Sequence, residues 1–291
     1  MWSYSHDLGS ELRLRFSGQE YFRYHFATDR DRPYGHPVTL AQPGAEPLTC
    51  HAPHDHLWHA GCWFSWKYLD GVNYWENAAN GHPEGRLALQ GQERVEASGD
   101  RLALQATYAY LDPRRGTVAS EVRRTTWHRP DPDGGHRLDY DVSLTPVAAL
   151  VLDRTPITAQ TPWGGYAGLS WRFARGLGAV DGLDAEGRRH RAIEHQRARW
   201  AALHGALDGG PAQLAGVAMF DHPANPRHPT PWRYIADPGF AYLNPSPLLA
   251  EPLRLQAGET LGLRYRVLVF PGPADPSRLE AEWARYAAEG A

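Results

Sequence analysis

The residues best suited to chemistry are histidines crowded into one short stretch of the chain. One carboxylate and four imidazoles stand close together there: Asp55, His51, His54, His56 and His59. Histidine titrates near neutral pH and is also a common metal ligand. The tryptophans that follow supply flat apolar faces on which a sugar ring can stack. The stretch therefore predicts the floor of a binding or catalytic pocket.

Pro53 disfavours a helix in this stretch, so extended or turn geometry is expected. In an extended chain, His54 and His56 would point to one face and Asp55 to the other. Three interpretations remain open. In the first, His56 or His59 is a general acid or base that Asp55 or another carboxylate orients, and no cofactor is needed. In the second, His54, His56 and His59 bind a divalent metal, and in the third the imidazoles only hydrogen-bond a polar ligand or one another.

The next segment adds aromatic and polar candidates. Trp63 and Trp66 fall on opposite faces of an alternating strand, so one should belong to the core and the other should line a cleft. Glu76 follows a predicted turn and is a candidate catalytic carboxylate. Asn73 precedes that carboxylate and is a candidate for binding the substrate.

Gly164 and Gly165 mark a third segment, because glycine lets the backbone turn tightly or approach a ligand. The lysine that a phosphate-binding loop requires is missing from this segment. Tyr166 and Arg172 follow the glycines and are candidates for binding a hydroxyl or carboxylate group of the substrate.

Prolines at alternate positions of the segment 221–232 exclude regular strand pairing and predict a stiff loop. A loop so rich in polar side chains is costly to order, which favours a functional wall. Asp221 is its candidate catalytic carboxylate. The candidate substrate-binding residues are those of the loop, together with one from the next proline-rich loop: His222, Asn225, Arg227, His228, Trp232 and Asn244.

The bulk composition excludes several classes of protein. The chain has 291 residues and a formal net charge of −3, so it lacks the basic field typical of a nucleic-acid partner. Two cysteines cannot build a disulfide framework, which indicates a reducing compartment. We see no signal peptide and no apolar run near the roughly 18 residues of a membrane span. The sequence thus predicts a cytoplasmic protein with neither a membrane nor a nucleic-acid partner.

Strands must position these candidates, because apolar and polar residues alternate along much of the chain. Such strands indicate antiparallel sheets with one solvated face. The segment 182–210 is expected to hold short outer strands joined by turns. The clearest strands are predicted at 11–16, 101–110, 121–128, 137–144 and 261–270.

The clearest helix is predicted at the end of the chain, over about 275–289. Pro276 stands near its start, and Leu279, Trp283 and Tyr286 are spaced to face inward. We find neither an internal repeat nor a linker. The prediction is therefore one all-β domain over residues 1–291, an antiparallel β-supersandwich with a short C-terminal helix.

Several separate motifs resemble the bacterial family called PmoA-like, a family of unknown function. The resemblance runs from about residue 30 to the C-terminus. Its motifs are His36-Pro-Val, Asp55 to Trp66, Gly164 to Arg172, Asp221 to Trp232, and Asn244-Pro-Ser-Pro. It implies a role in carbohydrate metabolism, because genes for such proteins often accompany genes of sugar catabolism. The methane-oxygenase label of the family does not fit a chain without predicted membrane spans.

The closing segment, 252–269, also resembles the last hairpin of galactose-mutarotase-like sandwiches. In those folds the ligand lies on a concave sheet, where histidine and carboxylate side chains do acid–base chemistry. The resemblance implies the fold and a sugar-sized cleft, but it assigns no catalytic residue to this chain.

The predicted function is therefore that of a carbohydrate-active enzyme, an epimerase or isomerase, or a hydrolase or lyase acting on a modified glycoside. The predicted partner is a small carbohydrate. Two alternatives come from other classes of protein. One is a non-catalytic carbohydrate-binding or sensor protein, and the other is a metal-dependent enzyme that uses the cluster His51–His59.

Overall fold

The strands of this protein pair exclusively in antiparallel fashion in the described part of the chain. The computed structural model describes residues 1–27, 31–207, 213–237 and 239–289. The strands are β1 (Trp2–Asp7), β2 (Glu11–Phe16), β3 (Gln19–His25), β4 (Tyr34–Val38), β5 (Cys62–Ser65), β6 (Tyr68–Leu69), β7 (Val72–Asn73), β8 (Arg86–Leu89), β9 (Arg94–Ser98), β10 (Arg101–Asp112), β11 (Gly116–His128), β12 (His136–Pro146), β13 (Leu150–Asp153), β14 (Gly168–Arg172), β15 (Gly178–Asp184), β16 (Trp200–Leu207), β17 (Gln213–Asp221), β18 (Trp232–Asp237), β19 (Phe240–Pro245), β20 (Leu253–Leu255) and β21 (Leu261–Pro271). A 3-10 turn (His190–Ile193) and helix α1 (Pro276–Ala288) complete the elements.

These strands form two large sheets and one small sheet. The first sheet has the order β1-β2-β3-β4-β5-β14-β19-β18. The second has the order β15-β16-β17-β21-β12-β11-β10-β8, with β9 also paired to β10. The small sheet has the order β20-β13-β6-β7. The predicted antiparallel β-sandwich with a C-terminal helix is confirmed.

The main core lies between the two large sheets. Side chains of β12 are buried at alternate positions, as expected for a strand with one face in the core. Trp127 of β11 meets the rings of Phe22 and Tyr24 of β3 edge to face, with centroids 5.6 and 5.5 Å apart. One continuous apolar cluster thus joins the sheets.

The predicted elements correspond closely to the observed ones. The five predicted strands lie within β2, β10, β11, β12 and β21. The segment 182–210 contains the last three residues of β15, the 3-10 turn and all of β16, and its residues 208–210 lie outside the described part. In α1, the Asp275 side chain accepts a hydrogen bond from the Ser277 amide. Leu279 and Tyr286 of α1 are buried as predicted, and Trp283 is half-buried.

Helices long and apolar enough to cross a membrane are absent from the described residues. The prediction of one domain over residues 1–291 stays a prediction.

Replacement of Trp127 by alanine should lower the free energy of unfolding by about 3–5 kcal/mol, because it leaves a cavity between the two sheets. Urea unfolding monitored by circular dichroism measures this loss. Val122→Ala on the same strand is the matched control, since Val122 is 38% exposed, and it should cost less than about 1 kcal/mol. Equal losses in the two variants would contradict the role of Trp127 as the link between the sheets.

Candidate functional site

A cavity of about 380 Å³ lies on the first sheet, on the face turned away from the main core. Alternation along β5 explains this placement, because Phe64 and Trp66 enter the main core whereas Trp63 enters a separate aromatic layer. The cavity has the size of a small-molecule site. Its lining combines aromatic rings with four polar or charged side chains: His56, Trp58, His59, Trp75, Glu76, Trp163, Tyr166, Arg233, Ile235, Phe240 and Tyr242.

Two consecutive turns between β4 and β5 place the histidines. The His56 amide donates to the Pro53 carbonyl at 2.9 Å, and the His59 amide donates to the His56 carbonyl at 2.9 Å. The second turn stacks the rings of His56 and His59, whose centroids are 4.5 Å apart. The expected turn geometry is therefore observed. His54 stays exposed outside the cavity, so His54 and His56 do not share one face as they would in an extended chain.

Arg172 of β14 orders this loop from below. Its fully buried guanidinium donates to Asp55 Oδ2 at 2.8 Å and to His59 Nδ1 at 3.2 Å. Because a guanidinium can only donate, Nδ1 of His59 is unprotonated and its ring proton is on Nε2. Asp55 Oδ2 also accepts from His56 Nδ1 at 3.0 Å, so Nε2 is the His56 nitrogen that can exchange a proton with a ligand.

Electrostatics in this cluster set the ionisation of two groups. Burial lowers the pKa of His59 well below its ordinary value, and the charges of His56 and Arg172 add to this effect. His59 is therefore neutral at neutral pH. Burial alone would raise the pKa of Asp55, but hydrogen bonds from Arg172 and His56 outweigh it and hold that pKa below the ordinary range. Asp55 is therefore an ionised carboxylate.

Glu76 also lines the cavity, and three donors hold it there. Asn73 Nδ2 donates to Glu76 Oε2 at 2.8 Å, and the Lys67 ammonium contacts the same oxygen. The Tyr166 hydroxyl donates to Glu76 Oε1. The Asn73 side chain also accepts from the Trp75 amide at 2.8 Å, so a tight turn after β7 fixes the position of Glu76.

Lys67 experiences two opposed effects. Burial, and then the nearby Arg32 charge, lower the pKa of Lys67 to about 7. The Glu76 carboxylate in direct contact favours the ammonium form and raises that pKa. The contact decides in favour of an ammonium–carboxylate pair in the folded protein.

Two further elements close the cavity. The hairpin β18–β19 supplies Arg233, Ile235, Phe240 and Tyr242, with Ile235 directly opposite Tyr242. The loop before β14 supplies Tyr166 and Trp163, and half of the Trp163 surface is exposed at the mouth.

Gly164 allows the loop before β14 to fold back on itself. A Cβ atom at Gly164 would lie 2.4 Å from the Thr155 carbonyl oxygen and 2.8 Å from that of Pro156. The close approach is thus to the chain's own backbone, and this packing sets the position of Tyr166.

The structure brings together part of the predicted site. His56, His59, Glu76 and Tyr166 line the cavity. Asp55, Arg172 and Asn73 lie behind the lining and bond to residues that form it. Trp63 is fully buried beneath the cavity floor, where its ring lies 5.2 Å from that of His59.

Trp66 and Trp232 do not reach the cavity, so their predicted role as binding residues is corrected. Trp66 belongs to the main core, where its ring meets Phe64 edge to face. Trp232 is buried in the same core and donates from Nε1 to the Ala198 carbonyl at 2.9 Å. Both rings belong to the apolar interior, which the strand pattern alone did not distinguish from a cleft.

The expected place of the 221–232 loop on the cavity wall is also corrected. Asp221 is fully buried and accepts from Asn225 at 2.7 Å, His228 at 2.7 Å and the Thr230 amide at 2.9 Å. The His228 ring lies parallel to that of Trp283 in α1. These polar side chains of the loop are therefore hydrogen-bonded within it, and the loop packs against the C-terminal helix.

Three other residues that were predicted to bind the substrate make hydrogen bonds within the protein instead. Arg227 donates to the carbonyls of Pro247, Glu251 and Pro252. His222 Nε2 contacts Arg264 at 3.2 Å. Asn244 is fully buried and donates to the carbonyls of Ala167 and Leu169, which ties β19 to the start of β14.

The metal alternative lacks an assembled ligand set. Nδ1 of His59 accepts from Arg172, and Nδ1 of His54 contacts Arg175 at 3.1 Å. Within the described ranges, no group of three or more histidine, cysteine, aspartate or glutamate side chains is placed to hold a metal ion. His54, His56 and His59 thus do not converge on one point.

Several lining residues were not predicted as site residues. Alternation along β18 and β19 was the available signal, because it places Arg233 with Ile235, and Phe240 with Tyr242, on the same face. Arg233 is held by Glu194 and by His195 Nε2 at 2.7 Å. The other missed lining residues are aromatic: Trp58, Trp75 and Trp163.

Comparison with known proteins identifies the family. Residues 11–284 match the model of DUF6807, described as a family of unknown function, so the chain belongs to that family. No curated protein matches the chain. The resemblance to the PmoA-like family stays a prediction.

The solved structures with a similar fold include two α-galactosidases and a galactose mutarotase related enzyme. An α-galactosidase from Lactobacillus brevis has a TM-score of 0.45 and 13% identity over 95% of this chain and 41% of its own. The GH36 α-galactosidase from Geobacillus stearothermophilus has a TM-score of 0.42 and 10% identity over 94% and 40%. A galactose mutarotase related enzyme from Lactobacillus acidophilus has a TM-score of 0.38 and 6% identity over 93% and 97%.

This chain spans about two fifths of the length of those α-galactosidases. All three TM-scores are below 0.5. The likeness therefore carries no information about the activity of this chain.

The low pKa of His59 predicts that the protein loses stability as pH falls below about 6.5. Below that pH the unfolded chain binds a proton that folded His59 does not, so acid favours unfolding; above it both forms are neutral and the effect vanishes. His59→Gln should flatten the slope of unfolding free energy against pH by up to about 1.4 kcal/mol per pH unit.

Urea unfolding at pH 5, 6 and 7 measures this slope. His190→Gln, a change at an exposed histidine of the 3-10 turn, is the control variant and should keep the wild-type slope. A wild-type slope in His59→Gln would show that His59 is not a buried neutral imidazole.

Proposed function

We propose that this protein is an enzyme that acts on a sugar or a modified glycoside by acid–base chemistry. One observation carries the proposal. The imidazole of His56, oriented by Asp55, and the anchored carboxylate of Glu76 line the same aromatic cavity. Proton-transferring side chains beside stacking surfaces are what sugar chemistry requires.

The lining supports a sugar ring as the ligand. Aromatic faces bind the apolar faces of a pyranose, and the few polar groups between them orient its hydroxyls. Trp163 at the mouth and Tyr166 deeper inside lie nearly parallel, with ring centroids 6.2 Å apart. Arg233 adds a donor whose own partners, Glu194 and His195, hold it in place.

His56 is the proposed general base, which then serves as general acid. Asp55 holds its Nδ1–H, so Nε2 takes a proton from the substrate and Asp55 stabilises the imidazolium that results. Neutral His59 is stacked on His56 and presents Nε2–H as a hydrogen-bond donor. The arrangement resembles other catalytic pairs in which a carboxylate fixes the imidazole tautomer.

Glu76 is the second proposed proton-handling group. Its contacts with Lys67, Asn73 and Tyr166 fix its two oxygens in the lining, where the carboxylate accepts a hydrogen bond or a proton from the sugar. Two such groups in one cavity suit epimerisation, isomerisation or elimination, in which one group removes a proton from the substrate and, once protonated, returns that proton to carbon or to the leaving oxygen. A hydrolase or lyase would use the same pair at the leaving oxygen.

The catalytic role of His56 predicts that His56→Gln lowers kcat about 10²- to 10⁴-fold while the dissociation constant for the sugar changes little. Glu76→Gln should have a comparable effect. Thermal-shift screening of neutral, oxidised and acidic sugars finds the ligand, and NMR of the hits in D₂O follows turnover. Deuterium incorporated at carbon indicates an epimerase or isomerase that removes a proton from carbon. Cleavage that forms a carbon–carbon double bond indicates a lyase, and cleavage that adds water indicates a hydrolase.

His190→Gln is the control for this experiment and should keep wild-type turnover. A wild-type protein that binds sugars yet leaves all of them unchanged would contradict the enzymatic proposal and favour a carbohydrate-binding protein. Full turnover in His56→Gln would remove His56 from the mechanism.

The stacking role of Trp163 predicts that Trp163→Ala weakens sugar affinity about 5- to 10-fold, which is the loss expected when one stacked aromatic ring is removed. Stability should hardly change, because half of this side chain is exposed. Isothermal titration calorimetry measures the affinity, and Trp163→Phe is the conservative control that retains most of it. Unchanged affinity in Trp163→Ala would place the ligand away from the cavity mouth.

A further inference from the structure

Arg32 is a buried cation whose donors are largely unused. Its side chain is 3% exposed, and in the described part of the chain its one hydrogen bond runs from Nη1 to the Trp58 carbonyl at 3.4 Å. A guanidinium has five N–H donors. None of the described carboxylates lies within the 4 Å of an ion pair. Asp31, the preceding residue, instead accepts from His82 Nδ1 at 2.9 Å.

The Arg32 side chain lines a second cavity of about 200 Å³. Trp58 lines this smaller cavity and the larger one alike. The consecutive residues Glu76 and Asn77 line the larger and the smaller cavity, respectively. The two cavities are therefore neighbours, and one ligand can extend from the larger into the smaller.

Arg32 also differs from the other arginines of this region in its partners. Arg172 is bound to Asp55, and Arg233 is bound to Glu194. The Lys67 ammonium, whose pKa the Arg32 charge lowers, forms an ion pair with the Glu76 carboxylate. Arg32 is thus the cation at the edge of the two cavities that the described side chains leave without an anion.

We propose that the smaller cavity is an anion subsite in which Arg32 binds an acidic group of the sugar held in the larger cavity. The inference rests on the function proposed above and names its substrate class: a sugar that carries a carboxylate or a phosphate. A planar guanidinium fork binds either oxyanion through two parallel hydrogen bonds. Burial lowers the pKa of Arg32 only to about 10, so the group is a cation at neutral pH.

Asn77 and Trp58 complete the subsite. Asn77 lines the smaller cavity, and Trp58 lines both the smaller and the larger one. Asp31 also lines the smaller cavity and its charge favours the Arg32 cation, but its hydrogen bonds run to His82 and, among the described residues, it forms no ion pair with Arg32. An entering oxyanion therefore finds unengaged guanidinium donors instead of displacing an existing ion pair.

Calorimetric titration of the full chain with matched sugars tests the proposal. The probes are methyl glucoside, glucuronate and galacturonate as carboxylates, and glucose 6-phosphate. Wild-type protein should bind at least one acidic sugar about 10- to 100-fold more tightly than the neutral one, and added salt should reduce this preference. Whether glucuronate, galacturonate or glucose 6-phosphate binds most tightly identifies the oxyanion.

Arg32→Gln should remove the preference while leaving the affinity for the neutral sugar unchanged, and Arg32→Lys should retain part of it. Arg129→Gln, which removes an exposed arginine paired with Asp100, is the matched control and should behave as wild type. The preference itself is measured on the wild-type protein, so it does not depend on the folding of Arg32→Gln.

Equal affinity for neutral and acidic sugars in the wild-type protein would overturn the anion subsite and leave the proposed sugar enzyme intact. A preference that survives in Arg32→Gln would overturn the role of Arg32. Failure of every sugar, neutral or acidic, to bind would overturn both proposals together.

Discussion

The buried guanidinium of Arg172 is the interaction on which the site depends. It arises from the central strand β14 and reaches Asp55 at 2.8 Å and His59 at 3.2 Å. Its Cζ atom also lies 3.7 Å from the centroid of Phe240. One side chain thus joins the histidine loop to the β18–β19 hairpin, which are distant in sequence. A buried charge is tolerated only with such partners, so the three elements hold one another in place.

This arrangement separates the roles of the charged groups around the cavity. Burial keeps His59 neutral, and hydrogen bonds from Arg172 and His56 keep Asp55 ionised, so Asp55 orients the imidazole of His56. Lys67 and Tyr166 contact the two oxygens of Glu76 and fix its position in the cavity lining. Aromatic rings line the cavity beside these groups, and their low polarity strengthens each interaction. His56 and Glu76 therefore line one cavity while each is held by partners of its own.

The loop 221–232 shows how composition misleads. Its prolines, histidines and aspartate predicted a functional wall, yet Asp221 is satisfied by Asn225, His228 and Thr230 within the loop itself. A polar loop can be ordered by its own hydrogen bonds as well as by a ligand, because buried polar groups need partners of any kind. The one-dimensional pattern does not distinguish the two cases. The contact of His228 with Trp283 of α1 indicates that this loop has a structural role.

The sequence alone determined the strands, because period-two alternation and turn residues are local properties that the chain carries with it. It also predicted His56, His59 and Glu76 as candidates for acid–base chemistry on a sugar, and Tyr166 and Arg172 as candidates for binding it. Only the tertiary structure decided which rings lie at the cavity and which belong to the main core. Trp66 belongs to the main core, whereas Trp63, three residues earlier, belongs to the aromatic layer under the cavity. Only the tertiary structure placed Arg32 near that cavity. The pairing of β4 with β5, and of β5 with β14, brings together strands that lie up to more than a hundred residues apart in the sequence. Long-range pairing depends on how whole faces are buried against each other, and no short window of sequence contains that information.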